Sequence, residues 1–253
     1  MSGVDRFTDK AKKYEKYRPS YPKESLDIIQ EECHLTLNNN VVIADIGSGT
    51  GKFTELLLKK GCIVYAIEPN DNMREIADYK FISNLNYKSI NNTAENLELD
   101  DNSVDLITVA QALHYFDLDK IKRQFKRILK LNRKVVLLWN FRDRESDFMK
   151  EYEKIVYTFH SKDLQPTFAQ DKMNDDIYKK LFSEFKVFSI PYCQELNFED
   201  LWGRVLSSNH APKEDDPNYA KLYENIKELF DKYQQNNKIV FSYRTQIVIG
   251  DIC

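Results

Sequence analysis

The 253-residue chain has no apolar run approaching the ~20 residues that cross a bilayer, which excludes a helical membrane protein from its sequence pattern. The stretch MSGVDR lacks the apolar segment of a secretory signal. Cysteine is scarce and scattered: Cys33, Cys62, Cys193 and Cys253 show no C-x-x-C spacing, against a zinc site or a disulfide framework and in keeping with a reducing, cytoplasmic setting. The four histidines, His34, His114, His160 and His210, share no ligand spacing, so no metal is expected. Basic surplus is also missing. A net charge of -3 offers no electrostatic footprint for nucleic acid. What remains is an ordinary globular chain, 42% hydrophobic and 30% charged, with a small molecule as its expected partner and a monomer or homodimer as its expected state.

Glycine is rare as well, with seven in all, yet three of them fall within five positions in ADIGSGTGKF, residues 44–53. Around that cluster the first half alternates strand and helix signals. Apolar runs at 41–46, 62–67, 86–90, 104–110 and 134–139 suit buried parallel strands, and helical patterns separate them at 53–60, 71–80 and 118–131. Further strands are read at 186–190 and 239–249, the latter alternating as an antiparallel strand does, with helices at 198–208 and 218–235. The predicted architecture is α/β: a Rossmann-like seven-stranded mixed sheet, mostly parallel with the last strand antiparallel, helices on both faces and a helical cap. Its expected divisions are an N-terminal lid and first helix (1–32), a cofactor-binding core (33–143), a cap insertion (144–185) and C-terminal strands with further cap helices (186–253).

A strand, a glycine turn and a helix place backbone N–H groups and a positive helix end beside one ligand. Gly47, Gly49 and Gly51 make G-x-G-x-G, unlike the dinucleotide G-x-G-x-x-G, and no G-K-[ST] follows as a phosphate loop would require. Asp45 precedes the turn and Glu68 ends the next strand. A carboxylate at Glu68 can accept from two adjacent ribose hydroxyls.

Together, VVIADIGSGTGKFT (41–54) and YAIEPNDNM (65–73) resemble class I S-adenosyl-L-methionine-dependent methyltransferases. The resemblance continues in NTAENLEL (92–99), SVDLITVAQALHYFD (103–117) and LLWNFRD (137–143). FTDKAKKYEKYRPSYP (7–22) and LSSNHAP (206–212) are similar to a small-molecule branch that includes trans-aconitate methyltransferase-like proteins. One departure is LKLNRKVV (129–136), where the family has a Pro-Gly or Gly-Gly turn and Asn132 is expected to take the left-handed position.

The resemblance implies a cofactor set of Asp45 (a partner of the methionine ammonium, direct or through water), Gly47, Ser48, Gly49, Gly51, Glu68, Pro69, Asn70, Met73 (against adenine), Ala94, Glu95 (at the adenine edge), Gln111 and Arg18. Phe7, Tyr14, Tyr17 and Tyr21 with Arg18 read as an aromatic lid. The acceptor pocket is expected among Tyr17, Tyr21, His114, Tyr115, Trp139, Arg142, Arg204 and His210. His114, just past a central strand, is the candidate base for a hydroxyl or amine acceptor, whereas a carboxylate acceptor needs only an arginine anchor. Two other readings stay open at this point: an NAD-dependent oxidoreductase and a non-catalytic S-adenosylmethionine-binding protein.

Overall fold

The computed structural model describes residues 11–159, 174–208 and 211–253. Helices α1 (Ala11–Tyr17) and α2 (Glu24–Glu32) lead into β1 (Val42–Ile46), α3 (Lys52–Lys59), β2 (Ile63–Ile67), α4 (Asp71–Phe81), β3 (Tyr87–Ile90) and β4 (Val104–Ala110). Then come α5 (Leu118–Ile128), β5 (Leu129–Arg142), α6 (Asp147–Thr158), α7 (Asp175–Leu181), β6 (Phe182–Leu196), α8 (Phe198–Leu206), α9 (Asn218–Tyr233) and β7 (Ile239–Ile252). The seven strands form one sheet in the order β3-β2-β1-β4-β5-β7-β6. β1 to β5 pair in parallel, and β7 runs antiparallel to both β5 and β6. The predicted sheet is the observed one.

Its two faces follow from strand alternation. Ile43, Leu106, Val136, Leu138, Ile247 and Ile249 point one way and meet α2, α3 and α4 through Ile29, Leu57 and Ala77. Ala44, Ile46, Ile107, Val109, Leu137 and Val248 point the other way and meet α5 through Ile121, Phe125 and Ile128. Tyr178 and Leu181 of α7 join this second face. The helical span expected as one cap insertion therefore divides, α7 packing on the sheet. α6, α8 and α9 share a separate apolar cluster with Leu196, Phe241 and Tyr243 from the far ends of β6 and β7.

The late strands exceed the sequence expectation, β6 running over fifteen residues where five were read. One reason is position: β6 is the sheet edge and alternates half-buried with exposed residues, so its apolar signal is weak. Pro191 is tolerated there because an edge strand has one row of N–H groups facing away from the sheet. Between α5 and the straight part of β5, Asn132 takes a φ of 59°, the left-handed conformation expected of it. Among the described residues no helix is long and apolar enough to cross a membrane.

Candidate cofactor and acceptor site

Three strand ends build the site. β1 runs into the glycine turn, where Gly47, Gly49 and Gly51 have φ of 69°, 58° and 79°. Those values are inexpensive only for glycine. The turn is tied to the end of β2 by Gly47 N–H and Ser48 N–H, which both donate to the Ile67 carbonyl (2.8 and 3.1 Å). Contact excludes side chains too. A Cβ on Gly47 would lie 2.4 Å from Ala112 Cβ, and one on Gly51 would lie 2.5 Å from the Phe81 ring. A Cβ on Gly49 meets no protein atom within 4 Å, so the middle glycine faces open space.

Glu68 stands opposite that glycine. Its carboxylate accepts from Gly49 N–H at 2.9 Å and from Asn70 N–H at 2.8 Å. Burial raises its pKa, and those two backbone donors act against the rise. Pro69 carries the chain on to Asn70, whose side chain caps α4 by accepting from Met73 N–H (3.0 Å). Met73 is buried in the first turn of that helix. At the third strand end, Gln111 adopts a φ of 63°, costly for a residue with a side chain, and outliers of this kind concentrate at functional sites. Its N–H donates to the Leu138 carbonyl at 2.9 Å.

Asp45 lies beneath the turn. It is fully buried, and its two carboxylate oxygens accept from Thr54 Oγ1 (2.6 Å) and Thr108 Oγ1 (2.8 Å). It clamps β1 to β4 and α3. Burial drives its pKa up to about 6, against the lowering effect of the two threonine hydrogen bonds. A folded-state pKa above the unfolded carboxylate value of 3.8 means that the native state binds the extra proton. This group's contribution is fully present below about pH 4 and is lost as pH rises through about 6. At 1.36 kcal/mol per unit the span is roughly 3 kcal/mol. Asp45→Asn is expected to abolish that slope in denaturant midpoints measured from pH 4 to 7, and an unaltered slope would place the titration elsewhere.

Other expected site residues also make contacts within the protein. Glu95 accepts from Asp117 N–H at 3.0 Å, tying the 92–99 loop to the start of α5, and Ala94 is buried in the core on the α5 face. Tyr21 is 7% exposed and packs edge-on against Phe53 at 5.2 Å, inside the opposite core. Trp139 is fully buried and stacks on Phe141, at 6.4 Å between centroids. Tyr21 and Trp139 are core residues rather than walls of an open pocket. Arg142 lies 3.1 Å from Glu153, a carboxylate it shares with Arg144 at 2.7 Å. His114 lies with Tyr115 in a short turn of helix past β4, the two rings 3.9 Å apart, His114 half-buried and Tyr115 exposed. His210 and Phe7 lie outside the described residues.

α1 forms the roof. Lys52, at the position that breaks the dinucleotide glycine pattern, donates to the Glu15 carbonyl at 2.6 Å, and Lys80 of α4 pairs with the Glu15 carboxylate at 3.0 Å. On the other side the Tyr17 ring covers Gly203 of α8 so closely that a Cβ there would lie 2.3 Å from it. Arg18 Nε donates to Ser207 Oγ (2.9 Å) and its Nη2 to the Ser207 carbonyl (3.1 Å). Arg204, one turn earlier, is 6% exposed; its Nε donates to the Tyr243 hydroxyl at 3.0 Å, with its guanidinium over the Phe241 ring. Burial, and then the neighbouring Arg204, lower the Arg18 pKa to about 10. The Arg18 guanidinium also lies over the Tyr14 ring, 5.6 Å from its centroid.

Sequence reasoning passed over Lys52 as the docking residue for α1, along with Thr54, Thr108, Tyr243 and Asn140. Asn140 donates to the Ser20 carbonyl (2.8 Å) and accepts from Thr245 Oγ1 (2.6 Å), joining the N-terminal segment to β5 and β7. Its only signal was its place in LLWNFRD.

Comparison with known proteins agrees with this geometry. Residues 44–137 match the family model described as a methyltransferase domain. An uncharacterized methyltransferase of Mycobacterium bovis is 33% identical over 143 residues, 56% of this chain and 55% of that protein. The alignment thus spans about half of that relative's length. An uncharacterized methyltransferase-like protein of Schizosaccharomyces pombe is 27% identical over 92% of this chain and 90% of its own. Among solved structures, a candidate type II methyltransferase from Anaeromyxobacter dehalogenans superposes with a TM-score of 0.68 at 16% identity, over 92% of this chain and 97% of that one, a likeness of fold. The glycine turn, Glu68, Gln111 and most of β5 lie in the stretch matched by that family model.

Proposed function

We propose that the chain is an S-adenosylmethionine-dependent methyltransferase acting on a small-molecule acceptor. The observation that carries the reading is the Glu68 carboxylate, bonded to Gly49 N–H and Asn70 N–H beside the one glycine of the turn whose missing Cβ leaves open space. An acidic acceptor at a strand end suits a diol, and a turn without side chains admits a nucleoside against backbone. The donor set fits the cofactor: Gly47, Ser48, Gly49 and Gly51 as the cradle, Glu68 for the ribose, Pro69, Asn70 and Met73 toward the base, Gln111 and Arg18 toward the amino-acid end.

When bound, S-adenosylmethionine supplies a sulfonium methyl that takes an acceptor lone pair as the carbon–sulfur electron pair stays on sulfur, leaving S-adenosylhomocysteine. The chain's own work is alignment and exclusion of water, worth roughly 7–11 kcal/mol when reactants are well held. α1 closes the roof through Lys52, Lys80 and Gly203. For a hydroxyl or amine acceptor, His114 takes the departing proton. Incubation with methyl-labelled S-adenosylmethionine and a panel of small hydroxylated, amino and acidic compounds is expected to release S-adenosylhomocysteine in an acceptor-dependent way. Tight cofactor binding with no transfer to any compound would favour a binding-only protein.

A further inference from the structure

Arg18 and Arg204 lie close enough for their charges to oppose each other, and among the described residues neither has a carboxylate within ion-pair distance. Every bond recorded for them goes to a neutral group: the Ser207 hydroxyl and carbonyl for Arg18, the Tyr243 hydroxyl for Arg204. This is unusual. Arg142, Arg144, Arg127, Arg133 and Arg244 all have carboxylates within 4 Å. A guanidinium cannot shed its charge at neutral pH, so two of them held at one end of α8 without counter-ions among the described residues repel each other and favour an anion.

Their surroundings hold them in place for that task. Arg204 is fixed by Tyr243, whose hydroxyl also donates to Gln194 Oε1 at 3.1 Å, and by the Phe241 face, while Arg18 is pinned to the end of the same helix. Guanidinium nitrogens beyond those bonds are left for a ligand, and their planar fork matches an oxyanion. Resting on the cofactor reading above, charge counting goes one step further. S-adenosylmethionine brings one carboxylate, enough for Arg18, together with an ammonium and a sulfonium. The second guanidinium is left without an anion.

We propose that Arg204 is the anchor for an oxyanion, a carboxylate or a phosphate monoester, carried by the methyl acceptor. The anion is a handle and not the methylated atom. Pairing with a guanidinium draws charge from the anion's oxygens and makes them poorer nucleophiles, so the reacting atom is assigned to another group of the same small molecule.

The test is equilibrium binding by ligand-observed NMR at constant ionic strength, with and without S-adenosylhomocysteine. The probes are 3-phenylpropionate against 3-phenylpropionamide, glutarate against glutaramide, and phenyl phosphate against phenol. At least one anion is expected to bind roughly tenfold tighter than its neutral partner, the scale of a charge-assisted pair. Whether the acids or the phosphate show the preference identifies the handle. Arg204→Gln should bring the ratio near one and Arg204→Lys should restore part of it. Arg244→Gln, at a surface arginine paired with Asp143, should leave it intact. No anion preference in the wild-type protein, or a preference that survives in Arg204→Gln, would overturn the proposal. If Arg204→Gln does not fold, the wild-type ratios and Arg204→Lys decide. Binding of S-adenosylhomocysteine without anion preference removes the handle alone, whereas anion preference without S-adenosylhomocysteine binding removes the cofactor reading alone.

Discussion

Replacing Gly47 by alanine is expected to lower the melting temperature by roughly 10 °C and to abolish binding of S-adenosylhomocysteine. Two costs combine. A left-handed φ of 69° strains any side chain by ~1–2 kcal/mol. The added Cβ would also lie 2.4 Å from Ala112 Cβ, an overpacking that costs ~1–3 kcal/mol even after relaxation. Relief requires the turn to move away from Ala112, which displaces the backbone proposed to cradle the cofactor. In a domain of this size each kcal/mol shifts the midpoint by about 2–4 °C. Gly49→Ala is the informative companion. Its φ of 58° brings strain, yet its Cβ meets no protein atom, so the melting temperature should fall by only a few degrees. Binding should still suffer, because the methyl projects into the space assigned to the ligand. Calorimetric melting with ligand titration checks both variants. A Gly49→Ala protein with normal affinity would move the ligand off the turn.

Glu68→Ala is expected to weaken S-adenosylhomocysteine binding by ~1.5–3 kcal/mol, the usual scale for hydrogen bonds to a charged group, or about 10- to 150-fold. The carboxylate holds the Gly49 and Asn70 N–H groups, so its loss also loosens the turn it faces. Glu68→Gln separates the two effects. An amide oxygen still accepts from one N–H but binds a diol less well than a carboxylate does, so its affinity should fall between wild type and alanine. Titration calorimetry reads the series directly, and unchanged affinity in a folded Glu68→Ala protein would mean that the ribose is held elsewhere.

Local rules made the first half of the chain legible. Short apolar runs ending in glycine or charge are parallel strands wherever helices cover both faces, and a glycine turn after such a run has few alternatives. The five parallel strands and Glu68's place at the end of the second were therefore readable. What was not readable depends on partners distant in sequence. Asp45 could be placed before the turn, but not the Thr108 and Thr54 hydroxyls that close on its two oxygens. Glu95 could be placed in its loop, but not the Asp117 N–H that reaches it. Tyr21 and Trp139 carry the composition of a pocket wall, but aromatic content cannot tell a wall from a core, and Phe53 and Phe141 decide it. The edge strand β6 was undercounted because half its residues face solvent. Arg204 was readable only as one arginine among many. Its burial, and the absence of a carboxylate beside it among the described residues, are tertiary facts.

The most direct measurement is isothermal titration of the wild-type protein with S-adenosylhomocysteine and, separately, with NAD. G-x-G-x-G spacing with Glu68 at the end of β2 predicts one-to-one binding of S-adenosylhomocysteine and none of NAD at the same concentrations. Binding of NAD with no heat from S-adenosylhomocysteine would contradict the assignment of the turn and return the chain to oxidoreductase chemistry.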